Sequence, residues 1–181
     1  KIPVKADDLG VDLLSVVGHK FYAPKGVGAL YVRRGTRLEP LIPGGGHESG
    51  RRAGTESALL AVGLGAASVL AQDLSPMTRI RALRDRLWDR MRQRFGNRVV
   101  LNGHPQHRLP NTLNVSFIGH IGAEILARLD GVAASTGSAC HAGGIDFSPV
   151  LKAMRVAPEV GAGASRNPSA SKTPSNMTVW K

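Results

Sequence analysis

The sequence predicts an α/β chain built in two units. Short apolar runs of strand length alternate with longer stretches of helical periodicity, the grammar of layered α/β or α+β domains. The pair Ser75-Pro76 breaks the chain between two such groups. An apolar share of 42% over 181 residues is enough for a core, and 20% charged residues is an ordinary surface.

Val11 to Val17, dense in Val and Leu, reads as a buried strand that ends at Gly18-His19-Lys20. Gly26 to Val32 reads as a second strand after a turn at Pro24 and Gly26. Pro43 to Gly50, with three consecutive glycines, is a loop. Ala53-Gly54-Thr55 then leads into an Ala- and Leu-rich helix over Glu56 to Gln72, with Thr55 expected as its N-cap. Beyond Pro76 a second helix is expected over Met77 to Phe95. In it Ile80, Leu83, Leu87, Met91 and Phe95 recur at spacings of three and four, with Trp88 beside them.

After Gly96 the predicted elements are short. They are strands at Val99 to Leu101, Asn114 to Ile118 and Val132 to Ala134, and a helix over Ala123 to Leu129. Ser135 to Asp146 is a loop of small residues, and Ser148-Pro149 opens a short helix through Met154. From Gly161 the composition turns to Ser, Asn, Pro, Lys and Thr, and an unfolded tail is expected over residues 165 to 181.

Composition excludes several function classes. A single cysteine rules out an internal disulfide framework and a multi-cysteine metal site. No apolar run reaches the length of a membrane span. Charged Lys1, Lys5, Asp7 and Asp8 occupy the place of a secretory signal, so a cytoplasmic protein is expected. Lys rather than Met stands first, and a strand-like run follows almost at once. The chain reads as one whose beginning lies elsewhere. The net charge of +11 raises the question of nucleic acid, but eight Arg against two Asp fall between Arg79 and Arg98. They sit on the polar side of an amphipathic helix, which reads as a solvated face, and no nucleic-acid module accompanies it.

Three places carry candidate chemistry. Lys20 stands at the end of an apolar strand, where ligands of α/β sheets commonly sit. An amine partly withdrawn from water there is a usable nucleophile toward a carbonyl, and His19 is placed to contact a phosphate or stack on a ring. Spacing alone favours a surface lysine just past a strand. Gly44-Gly45-Gly46, Arg51, Arg52 and Thr55 bring flexible backbone, positive charge and a hydroxyl to a helix start, a setting for an anion or merely for a tight loop and a cap. The spelling matches neither a P-loop nor a dinucleotide fingerprint. Cys140, in Ser138-Ala139-Cys140-His141, lies in a loop of small residues beside an imidazole that favours the thiolate when protonated. His104, His107 and His120 have no ligand-like spacing and read as ordinary loop residues.

Gly18 to Tyr31, then Gly44-Gly45-Gly46-His47-Glu48 with Arg52-Ala53-Gly54-Thr55-Glu56, then Ser138-Ala139-Cys140, occur in this order. Together they resemble the NifS-like cysteine desulfurase and selenocysteine lyase family of the class V aminotransferase superfamily, over about Asp8 to Gly163. The resemblance implies the C-terminal portion of a pyridoxal-phosphate enzyme of fold type I. Residues 1–75 would be the end of the large cofactor domain and 76–164 the small C-terminal domain. It implies that Lys20 binds pyridoxal 5'-phosphate covalently and then shuttles a substrate proton, with His19 beside the cofactor. Thr55 would reach the phosphate across a homodimer interface. Cys140 would take sulfur from L-cysteine, or selenium from L-selenocysteine, and pass sulfur to an acceptor protein as a persulfide. A metal, a membrane and nucleic acid have no part in this reading. The chain departs from the family after Ala164, where Ser165-Arg166-Asn167-Pro168 opens the polar tail, so Arg166 is not assigned the family's carboxylate-binding role. A catalytically inactive fragment or interaction module is the alternative.

Overall fold

The computed structural model describes residues 1–136, 148–157 and 160, together with the backbone of 175–180. Two compact units are present, one over Ile2–Ser75 and the other over Pro76–Lys181 with Lys1.

In the first unit a single turn of helix, α1 (Ala6–Leu9), leads into β1 (Leu13–Val17), which pairs antiparallel with β2 (Gly28–Val32). The hairpin closes tightly at its far end. The Gly18 N–H donates to Val27 O at 3.1 Å. A Cβ on Gly18 would stand 2.7 Å from that same oxygen, and one on Gly28 would stand 2.6 Å from Val16 O, so only glycine fits at either position. At the other end Arg33 locks the pair to α1. Its guanidinium donates to Val11 O at 3.0 and 3.1 Å and to Asp7 at 2.8 Å. The bonded Asp7 carboxylate, and then Tyr31, raise the Arg33 pKa above its ordinary value.

The helix expected over Glu56 to Gln72 is α2 (Ala58–Leu70), and its cap is Ser57 rather than Thr55. The Ser57 hydroxyl accepts from Leu60 N–H at 3.4 Å. Thr55 lies two residues outside, in a segment bent by Gly54 at φ 111°, too far upstream to reach the free amides of the first turn. α2 packs against the turn that follows β1.

The second unit opens with α3 (Pro76–Phe95), in agreement with the predicted stripe. Leu87, Trp88 and Met91 pack on a core of Val99, Leu113, Val115 and Phe117, and the Phe95 ring meets Phe117 edge-on at 5.2 Å. The core residues belong to β3 (Val99–Leu101) and β4 (Thr112–Phe117), which pair antiparallel. α4 (Gly122–Leu126) adds Ile125 and Leu126 to the same cluster. β5 (Ala134–Ser135), α5 (Pro149–Ala153) and β6 (Ser175–Trp180) complete the unit, and the sheet runs β3-β4-β6-β5.

The strand β6 corrects the expectation of an unfolded tail for residues 175 to 180. Its six residues pair with Thr112 to Phe117 along the whole of β4, and Val179 and Thr178 pair with β5. The mean composition after Gly161 is polar, but Met177 to Trp180 is rich in residues that favour a pleated sheet, and β4 offers them an otherwise open edge. The remainder of the tail lies outside the described residues.

On the face of β4 opposite the core, Asn102 and Ser116 are both buried. The Asn102 amide donates to Ser116 Oγ at 2.8 Å and to Asn114 Oδ1 at 2.6 Å, and Arg108 donates to the Asn102 carbonyl at 2.9 Å. Burial, and then the like charge of Arg84, lower the Arg108 pKa. Among the described residues no helix is long and apolar enough to cross a membrane.

Candidate active site

His19 and Lys20 stand on a tight 3-10 turn, Gly18–Phe21, that continues directly from β1. Tyr22 ends the turn at φ 72°, and Ala23 N–H returns to Gly18 O at 3.1 Å. This closure holds the backbone under both side chains, which are exposed. The expectation of a lysine partly withdrawn from water is therefore not met within this chain. The turn follows the first strand of a two-stranded hairpin and is packed by a neighbouring element.

That packing comes from α2. Gly63 approaches Pro24 so closely that a Cβ there would lie 2.8 Å from Pro24 Cγ, and Leu60 Cδ1 comes within 3.9 Å of a Cβ built on Gly26. The segment following Lys20 is thus seated on the first turns of the helix that Thr55 precedes, and both belong to one unit.

Thr55 is exposed and is positioned through the glycine loop. The loop folds back on residues 53 and 54. Ala53 N–H donates to Ile42 O at 3.1 Å, Gly54 N–H donates to His47 Nδ1 at 3.3 Å, and the Arg52 guanidinium donates to Ala53 O at 3.0 Å. Gly44, at φ 150°, lies where a Cβ would stand 2.9 Å from Ala53 Cβ. His47 is a residue whose part here was not legible in the sequence. Its ring accepts the amide immediately before Thr55, a contact across seven positions that no local pattern signals.

Cys140 lies in the segment 137–147, outside the described residues. Among the described residues no group of three or more His, Cys, Asp or Glu could hold a metal. The donor set in the first unit fits a phosphorylated aldehyde in kind. Lys20 would offer an amine to the carbonyl, and His19 an imidazole from the adjoining position of the same turn. Thr55 supplies a hydroxyl, with Arg51 and Arg52 as nearby positive charge.

The chain belongs to the aminotransferase class-V family, whose sequence model matches residues 1–164. Within that family it is similar to the cysteine desulfurases. It is 50% identical to "Cysteine desulfurase" of Gluconacetobacter diazotrophicus over 170 residues, covering 92% of this chain and 42% of that protein. It is 46% identical to "Cysteine desulfurase IscS" of Dictyoglomus turgidum, covering 91% of this chain and 43% of that protein. Among solved structures, the NifS-like protein from Rickettsia africae superposes with a TM-score of 0.75 at 26% identity, over 99% of this chain and 44% of that one. The fold is accordingly the corresponding part of a fold type I α/β enzyme, and the chain spans less than half the length of these relatives.

Proposed function

We propose that this chain carries part of a pyridoxal-phosphate-dependent cysteine desulfurase that converts L-cysteine to L-alanine and transfers the sulfur to Cys140. The observation that carries the proposal is the Lys20 turn seated on the helix that Thr55 precedes, in a chain 50% identical to a cysteine desulfurase. Enzymes of this family use pyridoxal phosphate in general. When bound, that group supplies an electron sink for charge developing beside the substrate amine. Lys20 Nζ would hold its carbonyl carbon and afterwards move the proton on the substrate Cα. His19 would lie beside its ring, and the Thr55 hydroxyl would reach the phosphate across the homodimer interface. The Cys140 thiolate accepts the sulfur, so that the substrate Cβ–S bond breaks and an S–S bond to Cys140 forms. L-Cysteine and one thiol become L-alanine and one persulfide, and the exchange needs no outside oxidant.

In this reading residues 1–75 are the end of the cofactor domain and 76–164 the small domain that presents the cysteine loop. The enzyme is a cytoplasmic homodimer whose partners are L-cysteine and a sulfur-acceptor protein, in the service of iron–sulfur or thiolation pathways. L-Selenocysteine is the alternative substrate. The exposure of Lys20 favours a second reading, in which the chain alone is an inactive fragment or interaction module of such an enzyme.

A cofactor trap separates the two. The purified chain is incubated with pyridoxal phosphate, the imine is reduced, and the labelled lysine is mapped by mass spectrometry. Label concentrated on Lys20, with Lys5 and Lys25 near background, supports a pocket within this chain, and alanine release abolished by Cys140→Ala then supports the reaction. Equal labelling of exposed lysines supports the second reading.

A further inference from the structure

We infer that α3 is a docking surface for an acidic helix of a partner protein. At 100° per residue, Arg79, Arg86, Arg90 and Arg94 fall within roughly 80° of one another around the helix and form a row about 22 Å long. All four are exposed, and among the described residues none takes part in an ion pair or hydrogen bond. No carboxylate lies on the row. Asp85 and Asp89 stand on another flank, where Arg81 and Arg92 offset them and Asp85 is bonded to Arg84 at 2.6 Å.

The row has an apolar centre. Leu83 lies one turn from both Arg79 and Arg86 and is 36% exposed, whereas its stripe-mate Leu87 packs on the core. A half-exposed leucine ringed by unpaired cations suits a helix that carries carboxylates at spacings of four and seven around one apolar residue. A nucleic-acid backbone would satisfy the arginines but leave Leu83 uncovered. The aromatic side chains of α3 that could stack on a base lie on a different side of the helix, Trp88 packed against the core and Phe95 edge-on to Phe117. The inference is independent of the cofactor chemistry, which belongs to the other unit.

The test uses the full chain and two fluorescent probes in anisotropy titrations at low salt. One is a helical peptide of about 20 residues with glutamates four and seven apart around a single leucine, and the other is a short DNA duplex. The expected result is saturable binding of the peptide, weakened about tenfold or more when Arg79, Arg86, Arg90 and Arg94 are all replaced by Gln. Leu83→Gln weakens it further at moderate salt, where screening leaves the apolar contact. Arg→Gln keeps helix propensity, and circular dichroism verifies the fold. A control with the same loss of charge, Lys5, Lys25, Arg34 and Arg37 all replaced by Gln, leaves the affinity within about twofold. The proposal is overturned if the control weakens binding as much as the row variant, since net charge alone would then account for it. It is equally overturned if the row variant binds the peptide unchanged, or if the duplex binds more tightly through the row and is indifferent to Leu83→Gln.

Discussion

Gly63 of α2 and Pro24 of the segment after Lys20 are in such close approach that a single added methyl on Gly63 would stand 2.8 Å from the Pro24 ring. The contact seats the turn bearing the candidate nucleophile on the helix that begins just after Thr55. Its lack of a side chain has a structural reason, whereas Gly65, two residues on, faces open space.

Opposite effects are therefore expected at the two glycines. Gly63→Val destabilises the first unit by about 1–3 kcal/mol through overpacking against Pro24. Gly65→Ala stabilises α2 by about 0.5–1 kcal/mol by removing backbone entropy from the unfolded chain. Urea unfolding followed by circular dichroism measures both, and similar shifts at the two positions would contradict the packing described.

Ser57 and Thr55 are separable in the same way. Ser57→Ala removes the acceptor for Leu60 N–H and costs about 0.5–1 kcal/mol, at the lower end for caps because the bond is long at 3.4 Å. Thr55→Ala leaves α2 stability unchanged within about 0.5 kcal/mol. Its expected effect is on binding of the phosphate group, read as a higher pyridoxal-phosphate concentration at half-labelling of Lys20.

Asn102→Ala removes the donor to Ser116 Oγ, a group fully buried on the face of β4 opposite the core. The stranded hydroxyl and the lost packing cost about 1–3 kcal/mol. Ser116→Ala made in the Asn102→Ala background costs less than Ser116→Ala alone, a coupling that a double-mutant cycle measures directly.

Asp73 lies between α2 and α3, where the Ser75 hydroxyl and then the Ser75 N–H, at 2.9 Å, hold its carboxylate below the ordinary range. A depressed folded-state value means that the contribution is complete above the unfolded pKa and is lost as pH falls through the folded one. Carboxyl NMR titration should place the Asp73 midpoint below that of free aspartate, and the Ser75 amide shift should follow the same curve. Ser75→Ala, which removes the larger cause and keeps the N–H, returns the midpoint most of the way.

Much of the local architecture is legible in residue order. The stripe from Ile80 to Phe95 predicts α3 because a period of 3.6 places its apolar residues on one side whatever they pack against. Val and Leu runs bounded by Gly and Pro likewise predict β1 and β2, and Lys20 is marked by its place after β1 and by the motif around it. Other features depend on contacts that residue order does not announce. Which hydroxyl caps α2 was settled by the bend at Gly54, so the local preference shared by Thr55 and Ser57 could not choose between them. His47 reaches Gly54, and Asn102 reaches Ser116, only after the loop and the sheet have closed. Residues 175–180, polar in their average surroundings, become a strand because β4 presents a row of main-chain groups for them to pair with. Periodicity, turn residues and motifs belong to the sequence by itself, since they need only neighbouring positions. Caps, buried polar partners and the sixth strand belong to the tertiary structure, because a hydrogen-bonding group is satisfied by whatever the fold brings within reach.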